Sequence, residues 1–208
     1  MSDKPASASF RAFLASVEGS ARKYDEELDM TALHALTDDE RREAEELLIE
    51  RVKEEDDWRV PPALAELRVK RAVRPMKERL PEATGRMRIA LAQALVDLGA
   101  LERLDETVIA MLETDDPDEG ISALAAADDL DSKELIKALG HASVHHSGPE
   151  VRINAGAALF YITKCTDDPL AWKYRPLYLP LGEEDEKVRR GAFEKICKLT
   201  GLSPEIAD

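Results

Sequence analysis

Apolar residues in this chain recur at intervals of three and four, and the pattern is cleanest between Gly148 and Thr163. There Val151, Ala155, Ala158, Leu159 and Ile162 form one stripe at helical spacing. Gly148 and Pro149 break what precedes, and Glu150 puts a carboxylate in the first turn, where the helix dipole favours it. The stretch GPEVRINAGAALFYIT therefore predicts one amphipathic helix, and its small residues Ala155 to Ala158 suit a close helical neighbour. No stretch of useful length alternates with period two, so the pattern predicts an all-α fold.

The same frame returns along the chain. An Ala-Leu pair with a third apolar residue three positions on occurs at Ala63-Leu64…Leu67, Ala94-Leu95…Leu98, Ala123-Leu124…Ala127 and Ala158-Leu159…Ile162. Lys195-Ile196…Leu199 is a degenerate copy, and successive offsets are 31, 29, 35 and 37 residues. Three copies carry an apolar residue followed by arginine near their start: Met87-Arg88, Val151-Arg152 and Val188-Arg189. A period of this length marks a repeat architecture. Second helices are expected at about 70–80, 103–113 and 132–142. A less regular segment follows at 169–181, where Pro169, Pro176 and Pro180 forbid an ordinary helix. Pro75 should kink or restart the first of the second helices.

Ahead of the repeats, Phe10, Phe13, Leu14 and Val17 predict a helix that Gly19 and Ser20 end. Tyr24, Leu28, Leu33 and Leu36 suggest a second, with one step of five that departs from helical spacing. Thr37 to Glu40 matches a capping box, opening a helix to about Lys53 with Ala44, Leu47, Leu48 and Val52 inside. The expected organisation is one continuous domain: a frayed terminus at 1–7, a helical cap at 8–56, and repeats at 57–203 in about five units, the last a single helix.

The stretches ALAELRVKRAVRPMKERL at 63–80, RMRIALAQALVDLG at 86–99, EVRINAGAALFYIT at 150–163 and EKVRRGAFEKICKLTG at 186–201 resemble HEAT-like repeats. Such repeats occur in many bacterial proteins and in the lyases that attach bilins to phycobiliproteins. The resemblance covers about residues 57–201 and implies an α-solenoid of antiparallel helix pairs, with second helices lining a concave face where partners dock. It does not choose among enzyme, adaptor and inhibitor, because the scaffold serves all three.

Composition narrows the choice. The 208 residues carry a net charge of −14, with aromatics at only 5%. That field repels nucleic acid and anionic membranes and attracts basic proteins. The basic run Arg68, Lys70, Arg71, Arg74, Lys77, Arg79 is better matched to the acidic helix at 38–53 than to DNA, although HEAT-like alkylpurine glycosylases bind DNA on a basic concave face. No apolar stretch is long enough to span a membrane, there is no signal peptide, and Cys165 and Cys197 read as free thiols, so a cytoplasmic location is expected.

Four groups of residues are candidates for function. His141, His145 and His146 include an i, i+4 pair but lack a full ligand set, so no metal is expected. Acidic runs at Glu54–Asp57, Asp115-Asp116-Pro117-Asp118-Glu119, Asp128-Asp129…Asp131 and Glu183-Glu184-Asp185-Glu186 precede helices, where carboxylates cap and oppose the dipole. Their density raises a second reading, a negative rim that steers in a basic partner, level with the reading that they keep the chain soluble. Trp172, Tyr174, Arg175 and Tyr178 in WKYRPLY are of the types that anchor interfaces, or else they fill the gap beside an irregular helix, the weightier reading. No phosphate loop, GxSxG or catalytic triad is present, and no cofactor is expected. The expected function is a non-catalytic protein-binding module, most specifically an acidic inhibitor or immunity protein that covers a basic toxin. The alternatives are a bilin-lyase-like role and a generic adaptor.

Overall fold

Side-chain caps set where the helices begin. The computed structural model describes residues 6–18, 28–128, 130–169 and 171–208, and among them all regular structure is helical, with no strand. Among these residues no helix is long and apolar enough to cross a membrane. The chain divides into two compact units, Met1–Glu102 and Arg103–Asp208.

The first unit holds α1 (Ala8–Val17), α2 (Met30–His34), α3 (Asp38–Glu54), α4 (Val60–Glu66), a 3-10 turn at Lys70–Ala72, α5 (Val73–Arg79) and α6 (Gly85–Asp97). Thr37 and Glu40 form the expected capping box at the start of α3. Glu40 also accepts the Ser7 backbone N–H at 2.8 Å, so the starts of α1 and α3 are held together. Together these bonds pull the Glu40 carboxyl down from an ordinary 4.5 to about 2, the Ser7 bond being the largest cause. Inside α3 the buried residues are Ala44, Leu48, Ile49 and Val52, with Leu47 half-buried, so the apolar face sits slightly round from the expected stripe. The second expected helix is only five residues long, capped by Asp29, because the backbone around Leu28 is not helical; Tyr24, Gly19 and Ser20 lie outside the described residues. After the 3-10 turn the helix restarts at Val73, and Pro75 sits in its first turn, where no intrahelical N–H is needed.

A buried ion pair ties this unit together. The Asp57 carboxylate accepts from Arg59 Nε at 2.8 Å and Nη2 at 2.7 Å, with both side chains almost wholly shielded. Arg59 Nη1 also donates to the Ser16 carbonyl of α1 at 3.3 Å. On the surface Arg71 reaches Glu45 at 3.1 Å and Glu46 at 3.5 Å, and Arg79 reaches Asp56 at 2.5 Å. Lys70 donates to the Leu98 carbonyl. Four of the six cations in the basic run, Lys70, Arg71, Arg74 and Arg79, are thus engaged within the unit, Arg71 on α3.

The second unit holds α7 (Asp105–Leu112), α8 (Pro117–Ala125), α9 (Lys133–His145), α10 (Pro149–Ile162), α11 (Arg175–Tyr178), a 3-10 turn at Leu179–Gly182, α12 (Glu186–Thr200) and a 3-10 turn at Pro204–Ala207. Asp116, Ser132 and Asp185 cap α8, α9 and α12. Helix α10 packs against α8, α9, α11, α12 and the 179–182 turn. It is therefore not the one-sided helix its stripe predicts: Val151, Arg152, Ala155, Gly156, Ala157, Ala158, Leu159 and Phe160 are all buried. Small residues make this possible. A Cβ on Gly156 would stand 2.4 Å from Leu181 Cδ1 and 3.2 Å from Ile196 Cδ1. The segment at 169–181 is short and broken as its prolines require, with Pro176 at the start of α11 and Pro180 in the 3-10 turn. The last turn was not foreseen in the repeat frame. It lies on α9, where Ile206 covers Gly140 and Ala207 is fully buried.

Candidate functional site: an acidic edge and an apolar groove in the C-terminal unit

Two arginines of the recurring apolar-Arg pattern build the edge. Arg152 is buried in α10, and among the described residues no carboxylate pairs with it. Its guanidinium donates to five carbonyls: Nε to Leu181 at 2.7 Å, Nη1 to His146 at 2.7 Å and Ser147 at 2.9 Å, Nη2 to Gly182 at 2.9 Å and Glu183 at 3.4 Å. Burial and the nearby Arg189 both work against its charge, lowering its pKa. The planar fork with five donors is what makes this clamp possible. Arg189 of α12 repeats the device, donating to the carbonyls of Val144 at 2.7 Å, Glu183 at 3.0 Å and Glu184 at 2.7 Å. Ser147 Oγ donates to the Asp115 carbonyl at 2.9 Å, and a Cβ on Gly148 would stand 3.1 Å from Pro117. The links before α8, α10 and α12 are thereby held side by side.

This arrangement sorts the acidic residues. Asp115, Asp116 and Asp118 from one link and Glu183, Glu184 and Asp185 from another come to one edge, and all six are exposed. Among the described residues no cation forms an ion pair with any of them, since Arg152 and Arg189 are committed to carbonyls. Asp116 and Asp185 serve as helix caps as well. Glu119, expected on the same rim, is buried in the first turn of α8 and does not face solvent. Asp128 lies at the other end of α8, where it shares a cleft of about 330 Å³ with Asp131, Tyr161, Lys164 and Asp167. The expected single rim is therefore split, because a helix carries its two flanking links to opposite ends. Asp129 lies outside the described residues.

The WKYRPLY residues divide in the same way. Phe160 of α10 meets Tyr174 edge-on at 5.3 Å and Tyr178 at 5.8 Å. Tyr178 is buried, so it packs against the core rather than presenting a ring to a partner. Its hydroxyl has no hydrogen-bond partner, and burial pushes its pKa up to about 12. Hydrogen bonding to Thr166, then Lys173, lowers that of Tyr174. Trp172 is 79% exposed, with the Arg175 guanidinium stacked 4.0 Å from its ring. Leu179 is 57% exposed nearby in sequence. Between α10 and this segment runs a groove of about 200 Å³ lined by Ile153, Asn154, Ala157, Arg175, Tyr178 and Leu179. Ile153 and Leu179 carry no sequence signal from the repeat stripe, since they sit off it, although Leu179 is an apolar residue between two prolines; Ala157 stands among the small residues expected at a close helical contact.

The histidines are engaged with one another, with an arginine and with the backbone. His141 and His145 stack with ring centroids 4.7 Å apart, His145 lies 3.4 Å from Arg190, and burial, His141 and Arg190 lower its pKa. His146 is buried, its Nδ1 accepting the Gly148 N–H at 3.0 Å. Among the described residues no three His, Cys, Asp or Glu side chains are grouped to hold a metal. Cys165 and Cys197 are free thiols, and burial pushes Cys197 up to about 11. In the first unit a mainly apolar cleft of about 470 Å³ is lined by Leu28, Met30, His34, Trp58, Arg59, Pro62, Ala63 and Glu66. Arg86 lies over its Trp58 at 5.2 Å.

Comparison with protein-family models, with curated proteins and with solved structures returned no match to this chain.

Proposed function

We propose that this chain is a non-catalytic protein-binding module, built as a HEAT-like stack of antiparallel helix pairs, whose partner is a basic protein. One observation carries the reading. The six carboxylates at 115, 116, 118, 183, 184 and 185 are assembled on one edge, while the arginines beside them are turned inward onto backbone carbonyls. Negative charge left without a local counter-charge is costly to concentrate and effective at steering an opposite surface. The stack is supported by the order of packing, in which α8 and α9 each meet α10, and by the repeated arginine clamp. An acidic inhibitor or immunity protein covering the basic cleft of a toxin is the most specific form of this reading.

The test is affinity capture from the native lysate with the tagged chain, comparing wild type with Glu183→Lys/Glu184→Lys, which leaves the Asp185 cap of α12 in place. The expected result is a captured protein rich in Lys and Arg, retained at low salt, and lost both in the variant and when ionic strength shortens the screening length to about 3 Å at 1 M. A partner retained equally under all conditions would overturn the electrostatic basis.

A further inference from the structure

We propose that the groove between α10 and the 175–179 segment is the anchoring subsite of this surface, and that it takes an aliphatic side chain from a partner segment that is cationic on one side of that anchor. The proposal rests on the reading above and adds to it a site and a chemistry. The floor and lip are apolar: Ile153, Ala157 and Leu179. Of the polar residues lining it, Tyr178 is buried with its hydroxyl unpartnered, and the other two are engaged. Asn154 Nδ2 donates to the Glu150 carbonyl at 2.9 Å, and the Arg175 guanidinium lies 4.0 Å over Trp172. What enters is therefore selected by burial of hydrocarbon, with Leu179 more than half exposed until something covers it.

The flanking charge names the rest of the segment. Ile153 is also the residue that Gly182 approaches: a Cβ on Gly182 would stand 2.9 Å from Ile153 Cδ1. The groove thus ends at Gly182, and Glu183 and Glu184 follow directly, both exposed. Glu150, one turn ahead of Ile153 and Asn154 in α10, is exposed as well. Among the described residues none of these three carboxylates is in an ion pair. Among the groove's own lining residues Arg175 is positive. A segment with lysines or arginines on one side of its aliphatic anchor, directed toward Gly182, complements the acidic end and keeps its own charge away from Arg175.

Three labelled hexapeptides test this by fluorescence anisotropy at low salt: Lys-Lys-Ser-Leu-Leu-Ser, the same with serine for both leucines, and the same with glutamate for both lysines. The leucine peptide should bind about tenfold or more tighter than the serine peptide, the effect of burying a leucine side chain. Leu179→Ser, at an exposed position, should erase most of that advantage while leaving the serine peptide unchanged and the circular-dichroism melt intact. Glu183→Lys/Glu184→Lys should weaken both lysine peptides, and the glutamate peptide should not bind. Equal binding of leucine and serine peptides with no binding of the glutamate peptide removes the groove and leaves the acidic edge standing. A leucine preference indifferent to Leu179→Ser also removes the groove. A preference indifferent to the lysine-to-glutamate exchange removes the cationic partner, and with it the electrostatic reading of the edge.

Discussion

At the scale of single residues, two buried polar groups make opposite contributions. Arg152 satisfies five carbonyls that would otherwise be partly shielded from water without donors. Lysine has a point charge on a flexible stem and cannot span those acceptors. Arg152→Lys is expected to lower stability by about 2 kcal/mol in urea unfolding, the scale of leaving buried acceptors unpaired. An unchanged midpoint would mean that water replaces the fork. Tyr178 is the reverse case, a buried hydroxyl with no partner. Tyr178→Phe removes only that oxygen and should be neutral or stabilising by up to about 1 kcal/mol. A loss of that size would reveal a hydrogen bond to the hydroxyl.

Helices and turns respond to their ends and their contacts. Glu40 is lowered to about 2 in the folded chain from an ordinary 4.5, so its contribution to folding is present above 4.5 and lost as pH falls toward 2. The stability difference between wild type and Glu40→Gln should be constant near neutrality and should shrink through that acid window in denaturation curves. A pH-independent difference would place the effect in packing. Gly140 lies inside α9, where glycine costs about 1 kcal/mol relative to alanine. Its return is close approach: a Cβ there would stand 2.7 Å from Ile206 Cγ1 and 3.0 Å from the Ile206 carbonyl. Gly140→Ala should keep α9 helical while loosening the 204–207 turn, read as faster amide hydrogen exchange at Ile206 and Asp208. Unchanged exchange would show that the turn shifts without detaching. Local signals of this kind were legible in the sequence: the Thr37–Glu40 box, the Pro-broken segment at 169–181 and the starts of α9 and α10. Contacts between distant residues were not. Nothing in the spelling of Gly140 points to Ile206, and nothing in Asp57 and Arg59 separates a sealed ion pair from two surface charges until α1 is seen to cover them.

Across the whole molecule, charge is the governing property. With a net charge of −14, self-repulsion opposes the compact state, and surface pairs such as Arg71–Glu45 return little. Raising NaCl from about 0.02 to about 0.3 M should raise the thermal midpoint, because screening relieves long-range repulsion first. A falling midpoint would mean that the ion pairs outweigh the excess charge. The acidic runs were visible in the sequence, but their division was not. Periodicity shows where helices begin, and only the fold shows that Asp115 and Glu183 share an edge while Asp128 lies at the opposite end of α8. The clamp by Arg152 and Arg189 has a consequence for how such a surface can be altered. The edge is held through main-chain oxygens, which every residue type supplies, so the side chains at 115, 183 and 184 can be exchanged without loosening the frame, whereas Asp116 and Asp185 are also needed as caps. The frame and the charge it displays are thereby separable, and the charge at 115, 183 and 184 can be reversed while the helices beneath keep their places.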